Sequence, residues 1–152
     1  MVTAGESLHW MEWDVILPRI ARVLTPHGLL AIAYIEEQPA PWNEDYRQIS
    51  QRFTNNPTYE PFDWITELEK YQLFQKLGER ETTSVSVSQS VEGYIAAQHA
   101  RSTLSLDTIT VEQAAQFDTE MQVLLLPYAS DGLLTFSVVG GVTWGKPKSG
   151  ER

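Results

Sequence analysis

Apolar residues recur at three- and four-residue steps from Trp13 through Ile16, Leu17, Ile20, Val23 and Leu24, while Glu12, Arg19 and Arg22 fall on the other face. That period predicts an amphipathic surface helix. Pro18 places its start between Asp14 and Val15, because a proline near the first turn gives up an N–H that has no helical partner anyway. After a Pro26-His27-Gly28 stop, Leu29-Leu30-Ala31-Ile32-Ala33-Tyr34-Ile35 runs without polar alternation, the pattern of a strand covered on both faces. Val2 to Leu8 reads as the tail of another buried strand, cut short because only Val2, Ala4 and Leu8 are apolar.

Farther along, Glu36 to Pro41 carries two prolines and ends the buried strand, and Trp42, Tyr46, Ile49 and Phe53 then repeat at helical spacing. Asn55 through Pro61 reads as a loop, and Asp63 is placed to cap a helix reaching about Tyr71. Thr83 to Ser88 alternates, with Val85 and Val87 on one face, and predicts a half-exposed strand. Ser90 is a cap for a short helix over Val91 to Ala100, and Thr110 with Gln113 three residues on forms a capping-box pattern. Asp131-Gly132 turns the chain into a last strand, Leu133 to Trp144, where Gly140-Gly141 reads as a bulge.

Helix, glycine stop and buried strand together form one α/β unit, in which ligands bind at the carboxyl ends of parallel strands. His9-Trp10 stands at that end of the first strand. The segment resembles class I S-adenosylmethionine-dependent methyltransferases after their fourth strand. The match is Ala4, His9, Trp10, then Arg22-Val23-Leu24-Thr25-Pro26, then Leu29 to Tyr34, and the stretches around Val91 and Gly132 are similar to later segments of the small-molecule group. The family's Pro-Gly-Gly is Pro26-His27-Gly28 here, with Gly28 at the position that most needs a left-handed backbone.

The resemblance implies a truncated Rossmann-like α/β fold keeping family strands 4-5-7-6, a mixed sheet with an antiparallel last strand plus covering helices. It implies one partial domain over residues 1–152: a strand-helix-strand core at 1–37, a helical cover at 38–73, carboxyl-terminal strands with a helical insertion at 74–146, and a loose tail at 147–152. The family's glycine-rich turn and its ribose-binding acid would both lie before Met1. Weak or absent binding of S-adenosyl-L-methionine, and no activity of the isolated chain, are therefore expected. The strand that ought to pair with the missing half would expose an edge prone to association, either with itself or with an amino-terminal half.

Composition narrows the partners. Eleven basic against twenty acidic side chains among 152 residues give a net charge of −9, which opposes the phosphate neutralisation needed for nucleic-acid binding. With no cysteine there is no disulfide framework. No apolar run approaches the roughly 18 residues of a membrane span, so a cytoplasmic protein with no membrane partner is expected. His9, His27 and His99 lack neighbours at ligand spacing, so no metal is expected.

The resemblance makes His9 the candidate catalytic residue, orienting the acceptor or taking its proton, and Trp10 a wall of the cleft touching both cofactor and substrate. Ala4 and Gly5 would let the cofactor approach the backbone. Trp42, Tyr46 and Arg101 would bind the substrate, a small molecule, and arginine's planar donor set suits a carboxylate. Plainer readings stand beside these: a core tryptophan at 10, a turn at Ala4-Gly5, a buried aromatic stripe at 42 and 46, and a solvated Arg101. The Glu36-Glu37 pair reads as a surface pair before a catalytic one. A second function class also fits, a non-catalytic interaction module pairing through the exposed strand edge.

Overall fold

The computed structural model describes residues 1–54 and 63–148. Its strands are β1 (Val2–Gly5), β2 (Leu30–Glu37), β3 (Phe74–Glu81), β4 (Val85–Ser90) and β5 (Leu133–Pro147). Its helices are α1 (Trp13–Val23), α2 (Asn43–Phe53), α3 (Trp64–Lys70), α4 (Val91–Gln98) and α5 (Val111–Leu125). Two compact units share them: among the described residues, 1–36, 63–84 and 138–148 form the first and 37–54 and 85–137 the second. The loop expected over 55–61 lies outside the described residues.

In the first unit the strand order is β1-β2-β5-β3. β1 runs parallel to β2, with Val2 opposite Leu30 and Gly5 opposite Ala33. β5 runs antiparallel to β3, from Phe74 opposite Pro147 to Glu81 opposite Gly141. This is the mixed sheet expected from the 4-5-7-6 order. α1 and α3 cover one face, burying Leu17 and Leu68 against Ala4, Leu30, Ile32 and Phe74. α1 begins one residue earlier than the proline suggests. Glu12 is its cap, its carbonyl accepting from Val15 and Ile16, and Pro18 therefore occupies the second turn and offers no N–H to the carbonyl of Asp14.

β3 is the element that hydrophobic periodicity does not reveal. Its register shifts between Lys76 and Gly78, which puts Phe74 in the core and leaves Leu77 exposed, so no simple alternation survives in the sequence. The pairing with β3 shows no bulge at Gly140-Gly141, where one was expected: Gly141 pairs regularly with Glu81, and a Cβ there would collide with the ring of Tyr34. Glycine is required at 141 by a close aromatic neighbour.

In the second unit β4 pairs with β5, and α2, α4 and α5 enclose a core of Trp42, Phe53, Tyr94, Ile95, Phe117, Met121, Leu125 and Leu134. Ser90 accepts from the Gly93 amide at 3.0 Å, and Thr110 and Gln113 form both bonds of a capping box. Asp131 and Gly132 have φ of 51° and 76°, the paired left-handed residues of a two-residue hairpin, closed by Ser130 and Leu133. Among the described residues no helix is long and apolar enough to cross a membrane.

Candidate functional site

In the first unit the carboxyl end of β1 turns sharply at Glu6, whose φ of 47° is rare for a residue with a side chain. The turn is held from both sides. Glu6 N–H donates to the Ala33 carbonyl at 3.2 Å, and its carboxylate accepts from the Ile35 amide at 2.8 Å. One residue thus fixes the ends of two parallel strands, where this type of fold places its ligands. Ala4 is buried in the core, whereas a Cβ at Gly5 would meet nothing within 4 Å, so open space adjoins the strand end.

A 3-10 turn, Leu8–Trp10, follows, with Leu8 buried and His9 and Trp10 outside. Trp10 is 64% exposed, its ring 5.2 Å from that of His9. His9 also lies 6.4 Å from Trp64 at the start of α3. The structure therefore brings His9 and Trp10 together at the surface. It adds Trp13, whose indole N–H donates to the Leu8 carbonyl at 3.0 Å and fixes that ring at the start of α1.

In the second unit the three expected substrate residues share one polar network. Trp42, the residue before α2, is 2% exposed, and its indole N–H donates to the Tyr94 hydroxyl at 3.3 Å. The Tyr94 hydroxyl donates in turn to Glu37 Oε2 at 3.0 Å. Arg101 donates to Glu37 Oε1 at 3.3 Å. One turn along α2, the Tyr46 hydroxyl donates to Gln98 Oε1 at 2.9 Å, while Gln98 Nε2 donates to the Tyr94 carbonyl at 3.0 Å. Gln98 is 1% exposed with both ends of its amide used, as a buried polar group must be.

The chain of donors has a direction. Burial, ahead of the neighbouring Glu37 charge, pushes the Tyr94 phenol up to about 12, so it keeps its proton and donates a hydrogen bond to the Glu37 carboxylate. Glu37 is anchored by a buried residue. Arg101, half exposed like its partner, is the looser member of the pair, and a pair this exposed contributes about 0–1 kcal/mol.

Trp42 therefore sits inside the core rather than at a surface, and Arg101 meets a carboxylate of its own chain. Glu6, Tyr94 and Gln98 were not identified from sequence. A left-handed glutamate has no sequence mark, and Tyr94 and Gln98, four residues apart on one helix, look like an ordinary buried stripe.

No protein-family model and no curated protein sequence matches the chain. Among solved structures it is similar to a protein from Anaeromyxobacter dehalogenans assigned as a type II methyltransferase, at 12% identity and a TM-score of 0.51, covering 96% of this chain and 64% of that one. It is also similar to a protein from Bacillus halodurans assigned as a methyltransferase, at 13% identity and TM-score 0.44, covering 97% and 64%. A third is a phosphoethanolamine N-methyltransferase from Haemonchus contortus solved with phosphomonomethylethanolamine and S-adenosylhomocysteine, at 14% identity and TM-score 0.32, covering 97% and 33%. The first of these establishes a likeness of fold: the chain has a Rossmann-like methyltransferase fold. It spans 64% of the length of the first two structures.

Proposed function

We propose that this chain belongs to an S-adenosylmethionine-dependent methyltransferase that acts on a small molecule, and that it represents the substrate-side part of such an enzyme. The observation that carries the reading is the match of fold across 96% of the chain, with its parallel β1–β2 pair and antiparallel β5. Ala4, Gly5 and Trp10 are the proposed cofactor residues and His9 the proposed catalytic residue, all in the first unit; of the expected substrate residues, Tyr46 and Arg101 are proposed contacts within the second unit, while Trp42, 2% exposed, belongs to its core.

The residues present fit part of the cofactor. Open space beyond Gly5 leaves room for a group against the backbone, and the exposed Trp10 offers an indole face to a cation. When bound, the cofactor supplies an electrophilic methyl group on a sulfonium. The protein's own contribution is positional. Glu6 holds the two strand ends rigid, Trp13 fixes the turn that carries His9, and His9 is available to orient the acceptor or take its proton. Among the described residues no glycine-rich turn links a strand to the helix that follows it. We therefore expect the 152-residue chain to bind the cofactor more weakly than a whole enzyme and to be inactive alone.

Calorimetric titration of S-adenosylhomocysteine into the chain tests the second point. The reading predicts no micromolar binding; micromolar affinity would show a self-sufficient site and overturn the partial-enzyme reading.

One observation favours a second reading, a module that pairs with a second copy of itself. β1 is the edge of its sheet, and since the Val2 and Glu6 amides donate to β2, the alternate amides of Thr3 and Gly5 face outward. Beside that edge lies an apolar groove of about 470 Å³ lined by Thr3, Leu29, Ala31, Ala33, Val142 and Trp144. Sedimentation across a wide concentration range decides it. A dimer lost on Thr3→Pro would support pairing, and a monomer at all concentrations would exclude it.

A further inference from the structure

The first unit holds a groove of about 600 Å³ bordered by His9, Met11, Trp13, Asp14, Tyr71 and Leu73. Its size lies within the range of small-ligand sites. Three rings and a thioether border it, a set of polarisable walls. The Trp13 ring is already fixed by its bond to the Leu8 carbonyl, so this wall needs no ordering when a ligand arrives. Met11 and Tyr71 are both exposed large apolar residues, so contact there removes apolar surface from water.

Charge sets the ligand's polarity. Asp14, in the first turn of α1, is the carboxylate among the six lining residues, and no lysine or arginine is among them. A cation does stand nearby: Lys70 places its ammonium 5.7 Å from the centre of the Tyr71 ring, but it is paired with Glu67 at 3.1 Å. Because Glu67 neutralises Lys70, the pair adds no net charge beside the groove, and the Asp14 carboxylate in its lining suits a cation better than an anion.

We infer that this groove binds a planar aromatic molecule carrying a protonated amine, the ring lying among His9, Trp13 and Tyr71 and the ammonium meeting Asp14. This inference goes beyond the methyltransferase reading and does not depend on it, since cofactor binding and amine binding are measured separately.

Backbone-amide NMR of the 152-residue chain, titrated with tryptamine, indole and indole-3-acetate, tests it. Tryptamine is expected to give saturable shifts at His9, Trp13, Asp14 and Tyr71, with indole weaker and indole-3-acetate weakest. Asp14→Asn is expected to weaken tryptamine about two- to fivefold, the scale of an exposed ion pair, and to leave indole unchanged. Tyr71→Leu is expected to weaken both, and because Tyr71 is exposed the variant should keep its fold. Absence of shifts at these residues overturns the site. Equal binding of tryptamine and indole-3-acetate, or an equal loss of tryptamine and indole in Asp14→Asn, overturns the role of Asp14.

Discussion

The Tyr94 hydroxyl donates to the carboxylate of Glu37 at 3.0 Å, across 57 residues of sequence, while it accepts from the buried indole of Trp42. A single phenol thus joins α4 to the end of β2 and to the start of α2. Because it is 4% exposed, no water can replace it freely.

Tyr94→Phe removes the acceptor for the Trp42 indole and one donor to Glu37. Leaving a buried N–H without a partner costs about 1–3 kcal/mol. Thermal denaturation should show a fall of roughly 2–4 °C per kcal/mol for a chain of this size. The double variant with Trp42→Phe should lose less than the sum of the two single changes, since the orphaned donor is gone.

Gly141→Ala places a methyl group against the Tyr34 ring, whose hydroxyl is bonded to Glu81 at 3.1 Å. Overpacking of this kind costs about 1–3 kcal/mol. Chemical denaturation should show the loss, and Tyr34→Ala in the same chain should recover much of it by vacating the space.

His99 predicts a pH dependence on the basic side. Burial opposes its charge, but the Leu104 carbonyl at 2.9 Å and Asp118 at 2.7 Å together outweigh burial and raise its pKa above 6.5. Both neighbours accept, and only the imidazolium can donate from both ring nitrogens. A raised folded-state pKa contributes stability that is complete below the unfolded value and is lost as pH rises through the folded one. Urea unfolding should therefore show stability declining as pH climbs above 6.5, and His99→Gln should flatten that decline.

Asp63 acts on the acid side. Its carboxylate accepts from the Thr66 hydroxyl at 2.6 Å and the Ile65 amide at 3.0 Å, and these bonds, the hydroxyl first, hold its pKa below 3.8. A depressed pKa contributes stability above the unfolded value that is lost as pH falls through the folded one. Asp63→Ala should cost about 1 kcal/mol at neutral pH, as removal of a helix cap does, measured by urea unfolding. The cost should shrink as the pH drops below 3.8.

What was legible in the sequence was local. The Thr110–Gln113 box, the Ser90 and Asp63 caps and the Asp131-Gly132 hairpin each depend on residues within three positions of one another, and each forms as its residue types require. The apolar run after Gly28 sufficed to place β2 but not its surroundings: Leu30 and Ile32 are buried in the core, whereas Ala33 and Ile35, on the other face, are exposed, so the strand is covered on one face only. β3 escaped notice because its register shift at Lys76–Gly78 breaks the alternation that marks a strand. In the candidate site, helical spacing singled out Trp42 and Tyr46 and resemblance Arg101, but their partners Tyr94, Gln98 and Glu37 come from distant segments. Pairing at such distances is a product of packing, and no spacing rule encodes it.

Residue-resolved NMR during addition of S-adenosylhomocysteine is the most direct measurement of the central claim. The account predicts saturable shifts at Gly5, Glu6 and Trp10, with affinity in the millimolar range. Spectra unchanged at these three residues would contradict the assignment of the β1 end as part of a methyl-donor site.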